Sequence, residues 1–209
     1  KSIGYEEGLL NTLKTIEQTG TTPSHKAWAK FLLDKKNRVD LTRWNLEYYN
    51  EDNEKHWKDN YNRQQELEAS RSLKGRTKYE NGLMLLNPDN LVSQYDAERT
   101  FLHEVLHVYL KDLILSGNLN AEETLALNSI KSIIRSLKSN PNHMAALKAL
   151  NDNEILYGLG ALEGYEISDN SPSAVLEFIS VLVTNDNFQN YLNEVTYSKL
   201  TGEKPIKLI

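Results

Sequence analysis

A helix-length apolar segment near the middle of the chain places the strongest constraint on the fold. Its apolar residues are Phe101, Leu102, Val105, Leu106, Val108, Tyr109, Leu110 and Leu113. Because they would cover most of the circumference of a helix, the pattern predicts a helix buried inside a folded domain, capped by Ser93 or Asp96. Any ionisable residue inside such a helix needs a partner, since an isolated buried charge is costly.

Two histidines and a glutamate interrupt this apolar pattern in the sequence His103-Glu104-Val105-Leu106-His107. Residues four apart lie on one face of a helix, so His103 and His107 can direct imidazole nitrogens at the same metal ion. Glu104 can then reach a water molecule that the metal polarises, which is the position of a general base. Surface histidines or satisfied core histidines are the alternative, but the apolar setting favours a zinc site.

Composition narrows the kinds of ligand and partner. The chain has no cysteine, so a metal must be held by His, Asp or Glu, and thiolate zinc sites, disulfides and cysteine nucleophiles are excluded. The net charge of -5 in 209 residues argues against a dedicated nucleic-acid binder. No apolar run reaches the roughly 18 residues that a membrane helix needs. We therefore expect neither nucleic acid nor a membrane as a partner.

A third zinc ligand must come from outside the histidine motif, because catalytic zinc usually keeps three protein ligands. The residues after His107 contain no closely spaced third histidine. The candidates are Glu154, Glu163, Glu166, Glu177 and, as an outsider, His143. Glu177 differs from the others because it is the only acid in the apolar stretch 174–183. It would need a partner there, unless it faces solvent or caps its helix.

The remaining periodicity predicts more helices and a small β element. Residues 77–86 form a predicted hairpin, since Asn81-Gly82 supplies the positive φ angles of a tight turn. Residues 38–42 give a weak strand signal, and 51–74 are typical of a solvated helix or long loop. The predicted helices are 9–20, 22–32, 121–137, 143–150, 172–184 and 186–196.

These elements predict an α+β fold that is mostly helical. We expect residues 1–74 to form an N-terminal helical cap with a polar connecting segment. Residues 75–209 are then the core, and the whole chain is expected to form one compact domain.

Three segments resemble the zincin-like peptidase domains of large polyvalent proteins, which phages and conjugative elements encode. They are the hairpin from Gly75 to Pro88, the helix from Thr100 to His107, and the late segment Glu177-Phe178-Ile179-Ser180 followed by Thr184 to Gln189. The resemblance covers about residues 75 to 196. It implies a zincin-like fold with a small β-hairpin or sheet beside the active-site helix, and it implies Glu177 as the third zinc ligand.

The resemblance has one departure that concerns activity. Related sequences often carry a second acid four residues after the ligand glutamate, where this chain has Val181. A carboxylate that would orient a ligand histidine is thus missing from that position. The leading hypothesis is a zinc endopeptidase with Glu104 as general base. The alternative is a catalytically silent binding or assembly module that zinc stabilises, and a metal-free helical interaction domain is the third hypothesis.

The peptidase hypothesis assigns further roles. An edge strand formed by Leu83, Met84 and Leu85 would hold extended substrate by backbone pairing. A hydrogen-bond donor to the oxyanion is expected among Tyr157, Tyr165 and His143. The expected partner is a peptide or protein, either a parent polyprotein or a host protein. The expected location is the cytoplasm of a bacterial host, or a virion that delivers the protein.

Overall fold

The structure is a computed structural model that describes residues 5–34, 41, 44–48, 74–78, 82–115, 119–162, 165–166 and 171–195. In these residues it is mostly helical with a small three-stranded mixed sheet, which confirms the predicted α+β class. The polar segment predicted at 51–74 lies outside the described residues apart from Lys74, as does most of the weak strand predicted at 38–42. None of the described helices combines the length and apolarity needed to cross a membrane.

The chain divides into two compact units, of which the first ends at Tyr109 and the second begins at Leu110. The division falls inside a helix. The elements that lie in or begin in the first unit are α1 (Tyr5–Thr19), α2 (Pro23–Asp34), β1 (Asn45–Tyr48), β2 (Gly75–Lys78), β3 (Leu83–Leu86) and α3 (Gln94–Leu115). Helices α1 and α2 pack on each other, and both contribute fully buried leucines, among them Leu13 and Leu32.

The three strands form a sheet in the order β1-β3-β2, with β3 parallel to β1 and antiparallel to β2. The β2–β3 pairing confirms the predicted hairpin, and Gly82 has the positive φ of 59° that its turn requires. The edge-strand prediction for Leu83, Met84 and Leu85 is wrong. Strand β3 is the central strand, so its backbone is already paired on both sides, and all of its side chains are buried.

The N-terminal half of α3 is anchored by polar contacts within the first unit. The N–H of Asp96 donates to Ser93 Oγ (3.1 Å), which makes Ser93 the capping residue. Glu98 accepts hydrogen bonds from the Thr21 N–H (2.8 Å) and the Thr21 hydroxyl (2.7 Å), and His25 Nδ1 lies 2.9 Å from the same carboxylate oxygen. These contacts fix the start of α3 against the residues that open α2.

The second unit contains the remaining elements. They are α4 (Ala121–Ser139), α5 (Pro141–Ala149), α6 (Asn153–Gly158), β4 (Ala161–Leu162), β5 (Tyr165–Glu166), α7 (Pro172–Thr184) and α8 (Asp186–Glu194). The bounds of α4, α5, α7 and α8 confirm the helices predicted from periodicity. Their shared core consists of Ile134, Leu137, Leu147, Ile155, Leu159, Val175, Phe178, Val181 and Phe188. Phe178 and Phe188 meet edge to face, with ring centroids 5.5 Å apart.

A candidate metal and catalytic site on helix α3

His103 and His107 lie one turn apart on α3 with their rings facing each other. Their Nε2 atoms are 3.1 Å apart, and the ring planes are inclined at 43°. His107 is buried and His103 is half-buried. Two nitrogens that bind one tetrahedral zinc ion at about 2.0–2.1 Å are separated by about 3.3 Å. The pair therefore fits two ligands of one ion, and the same spacing also suits an N–H···N hydrogen bond between neutral rings.

Glu104 is buried, with 6% of its surface exposed. Its carboxylate lies against β2, where the Thr77 hydroxyl donates a hydrogen bond of 2.6 Å to Oε2. Gly75 lies on the same face of β2, and a Cβ atom there would come within 2.9 Å of Glu104 Oε1. The predicted placement of a small sheet beside the histidine helix is thus confirmed.

The start of β2 is tied to α3 by an ion pair. Lys74 Nζ lies 2.7 Å from Asp96 Oδ1, and Arg99 Nη2 lies 3.3 Å from the same oxygen. Burial would raise the pKa of Asp96, but the bond from Lys74, the bond from the Val92 N–H and the two nearby cations together hold that pKa below its ordinary value. Asp96 is therefore charged at neutral pH and holds the residue that precedes Gly75.

Sequence reasoning missed the roles of Gly75, Thr77 and Asp96. A signal existed, because Gly75 and Thr77 stand two apart in a strand and so share one face. The spacing of these two residues does not show which helix this face of the strand contacts. The pairing of Lys74 with Asp96 joins residues that are 22 positions apart, and periodicity carries no information about such a contact.

Glu177 lies in the middle of α7, whose other residues are mostly buried. The side chain is half-buried, and its Oε2 atom is removed from solvent. The alternative in which Glu177 caps its helix is wrong, since the cap is Ser171. At least one of its two carboxylate oxygens is therefore turned away from solvent. A buried carboxylate in an apolar helix is costly without a positive partner.

The surroundings of the other glutamates that are candidates for the third ligand give less support for metal binding. Glu154 lies in the first turn of α6, where its N–H donates to the capping residue Asp152 (3.1 Å). An acid in that position is favoured by the helix dipole and needs no metal. Glu166 belongs to β5, where it pairs with Ala161, and Glu163 lies outside the described residues.

The three candidate oxyanion donors lie in the second unit. His143 Nδ1 is 2.6 Å from the Tyr191 hydroxyl, so this ring nitrogen is already engaged with α8. Tyr157 is half-buried on α6, and Tyr165 pairs with Leu162 in the two-stranded sheet. Their role stays a prediction.

Val181 stands four residues after Glu177, where the family resemblance led us to look for a second acid, and its side chain is part of the apolar core. Val181 is 1% exposed, and a Cβ atom on Gly158 would come within 2.6 Å of its Cγ2. Helices α6 and α7 therefore approach each other closely at this point. A carboxylate at position 181 would enter an apolar core, which gives a physical reason for valine here.

Comparison with family models, curated proteins and solved structures gives no match to this chain. A functional assignment therefore rests on the side chains of the site.

Proposed function

We propose that this chain is a zinc-dependent peptidase. The observation that carries the proposal is the 3.1 Å approach of His103 Nε2 and His107 Nε2, with the buried Glu104 next to His103 in the sequence. Two imidazoles one turn apart with a carboxylate next to the first are an arrangement that serves metal-assisted peptide hydrolysis.

Glu177 is the third ligand in this proposal. The proposed donors are His103 and His107 on α3 and Glu177 on α7, the set that the family resemblance implies. Nitrogen and carboxylate donors without thiolate suit zinc in a catalytic site that keeps an open position. When bound, zinc would polarise the scissile carbonyl and make water a stronger acid.

Glu104 then acts as the base. As the oxygen of water bonds to the carbonyl carbon, Glu104 accepts the proton that the water loses. The carbon–nitrogen bond breaks as the tetrahedral carbon collapses to a carboxyl group, and Glu104 returns the proton to the leaving amine. Water is consumed, no redox partner is needed, and Glu104 ends in the state in which it began.

Extended substrate would pair with β2 and not with β3. In the described three-stranded sheet β1 and β2 are the two edge strands, and β2 is the one whose Thr77 contacts Glu104. Backbone pairing along β2 would bring a peptide past the base. The oxyanion donor is proposed among Tyr157, Tyr165 and His143.

The second candidate function is a binding or assembly module that zinc stabilises without turnover. Val181 favours it, because an apolar core residue stands at the position where an acid could have oriented a ligand histidine. In both functions the partner is a peptide or protein, either a parent polyprotein or a host protein, in a phage or mobile-element setting.

The test is a paired measurement of metal and turnover. Protein purified without added metal is assayed for zinc by atomic emission, and then for casein cleavage before and after a chelator and zinc restoration. One equivalent of zinc with chelator-sensitive cleavage supports the peptidase. One equivalent of zinc without cleavage of any member of a peptide library favours the module, and no zinc at all contradicts both.

A further inference from the structure

One short hydrogen bond connects β2 to the proposed base. The Thr77 hydroxyl lies 2.6 Å from Glu104 Oε2 and 3.4 Å from the Glu104 carbonyl oxygen. A hydroxyl has a single proton, so the shorter contact is the one to which it donates. A length of 2.6 Å is typical of a bond from a hydroxyl to an ionised carboxylate, which is stronger than a bond between neutral groups.

Gly75 leaves the space that this carboxylate occupies. A Cβ atom at position 75 would lie 2.9 Å from Glu104 Cγ, 2.9 Å from Glu104 Oε1 and 2.8 Å from Thr100 Cγ2. Such distances are shorter than van der Waals contact, so a side chain there would push Glu104 aside. Thr77 holds one carboxylate oxygen, and Gly75 gives room to the other.

The strand that carries these residues is fixed at its beginning. Lys74 Nζ binds Asp96 on α3 (2.7 Å), and the Lys74 carbonyl accepts a hydrogen bond from the Asn87 N–H (2.9 Å). Position 75 is thus held between α3 and the end of β3. A rigid support of this kind is what sets the geometry of a catalytic group to within a fraction of an ångström.

We propose that Thr77 is a positioning residue for catalysis, which acts by holding Glu104 Oε2 so that Oε1 is presented to the attacking water. The inference rests on the proposed peptidase function. Without the hydroxyl, the Glu104 carboxylate can adopt several rotamers. It then spends less time in the orientation that presents Oε1 to the attacking water. The effect therefore falls on kcat, while KM and zinc content stay near those of the wild type.

Two substitutions at position 77 separate this role from simple packing. Thr77→Val keeps the shape and the strand preference but removes the hydroxyl, whereas Thr77→Ser keeps the hydroxyl and removes a methyl group. A positioning role predicts that Val lowers kcat by roughly 10–100-fold and that Ser restores most of it. A packing role predicts the opposite order, with Ser the more damaging change.

Gly75→Ala tests the space beside Glu104 independently. It is expected to lower kcat by at least about tenfold with zinc retained, because a displacement of about 1 Å at a catalytic group is costly. The matched control is Thr12→Val on α1, which also removes a half-buried hydroxyl, here one that donates to the Gly8 carbonyl (2.8 Å). Its kcat should equal that of the wild type.

A measurement without turnover decides whether the bond exists. Urea unfolding is compared for wild type, Thr77→Val, Glu104→Ala and the double variant. A charged hydrogen bond predicts that the two changes are non-additive by about tenfold in the unfolding equilibrium constant. Additive effects overturn the inference, whatever the protein hydrolyses.

The outcomes distinguish the inference from the function on which it rests. If the changes are coupled and wild type cleaves casein, an unchanged kcat in Thr77→Val overturns the inference and leaves the peptidase intact. If the changes are coupled but zinc-loaded wild type cleaves nothing, the peptidase assignment fails and the catalytic role of Thr77 fails with it. Coupling together with a kcat loss that Ser rescues supports both.

Discussion

Individual side chains of α3 show how a buried acid can serve structure or chemistry. Glu98 is surrounded by donors from Thr21, His25 and Gln94. A carboxylate with so many donors is a weak base, because each bond stabilises the ionised form. Glu104 is equally buried, yet among the described contacts it accepts one side-chain hydrogen bond, from Thr77. Among these contacts its Oε1 atom accepts no hydrogen bond.

Glu104→Gln should separate turnover from metal binding. Gln has nearly the same size but cannot accept the proton of water, so casein cleavage is expected to fall by roughly a hundredfold or more. Zinc content should stay at one equivalent, since Glu104 contacts water in this mechanism and not the ion. Loss of zinc in this variant would make Glu104 a ligand and contradict the assigned roles. Equal cleavage in both proteins would place the activity elsewhere.

His103→Ala and His107→Ala should each remove bound zinc. A site left with two protein ligands loses most of its affinity, so the metal content of the dialysed protein is expected to fall close to zero. The control is His143→Ala, whose ring contacts Tyr191 and should leave zinc unchanged. Full occupancy in either variant on α3 would refute the site.

Glu177→Gln tests the third ligand separately. Removal of the charge at constant volume should weaken zinc binding by at least about tenfold, measured by competition with a chromophoric chelator. Glu154→Gln is the matched control, because that acid lies in the first turn of α6 and is not expected to touch the metal. A larger loss in Glu154→Gln than in Glu177→Gln would reassign the ligand.

At the scale of elements, periodicity predicted most helices because the spacing of apolar residues along the sequence shows which face of a helix is buried. Helix α7 spans the predicted residues 172–184. The order of the strands was not predictable in this way, since β1 joins β3 from a distant part of the sequence. The continuous run Leu83–Leu86 did hold a hint, because a strand that is apolar on both faces is typical of a sheet interior.

The contact between α3 and the start of α2 predicts a dependence of stability on pH. Burial would raise the pKa of Glu98, but hydrogen bonds from the Thr21 side chain and backbone, from His25 and from Gln94 outweigh it and hold that pKa below its ordinary value. A lowered pKa in the folded state means that the stabilisation is present above the ordinary glutamate value of about 4.3 and is lost as pH falls through the lowered value.

Urea midpoints measured from pH 6 down to acid should show this loss in wild type. Glu98→Gln should be less stable at neutral pH, and its midpoint should change less over the acid range, because it cannot lose the same charge. A variant that follows the wild-type profile throughout would show that Glu98 does not govern the acid limb.

At the scale of the whole molecule, the sequence pointed to candidate ligands and a candidate base but not to the residues that support Glu104. The two histidines and Glu104 follow from spacing on one helix, and Glu177 follows from one acid in an apolar stretch. Thr77 and Gly75 act through a contact with residues more than twenty positions away. Such contacts depend on how strands and helices pack, which local patterns do not encode.

Removal of zinc should distinguish the peptidase from the zinc-stabilised module. The described cores do not need an ion to account for their burial, since α1 and α2 pack through leucines and α4 to α8 share an apolar cluster. Chelation is therefore expected to abolish cleavage while far-UV circular dichroism keeps its helical signal. At free zinc about a hundredfold above Kd, linkage adds about 2.7 kcal/mol, so Tm should fall by roughly 5–11 °C on chelation. Collapse of the helical signal without zinc would mean that the ion organises the fold, and the assembly module would then be the better assignment.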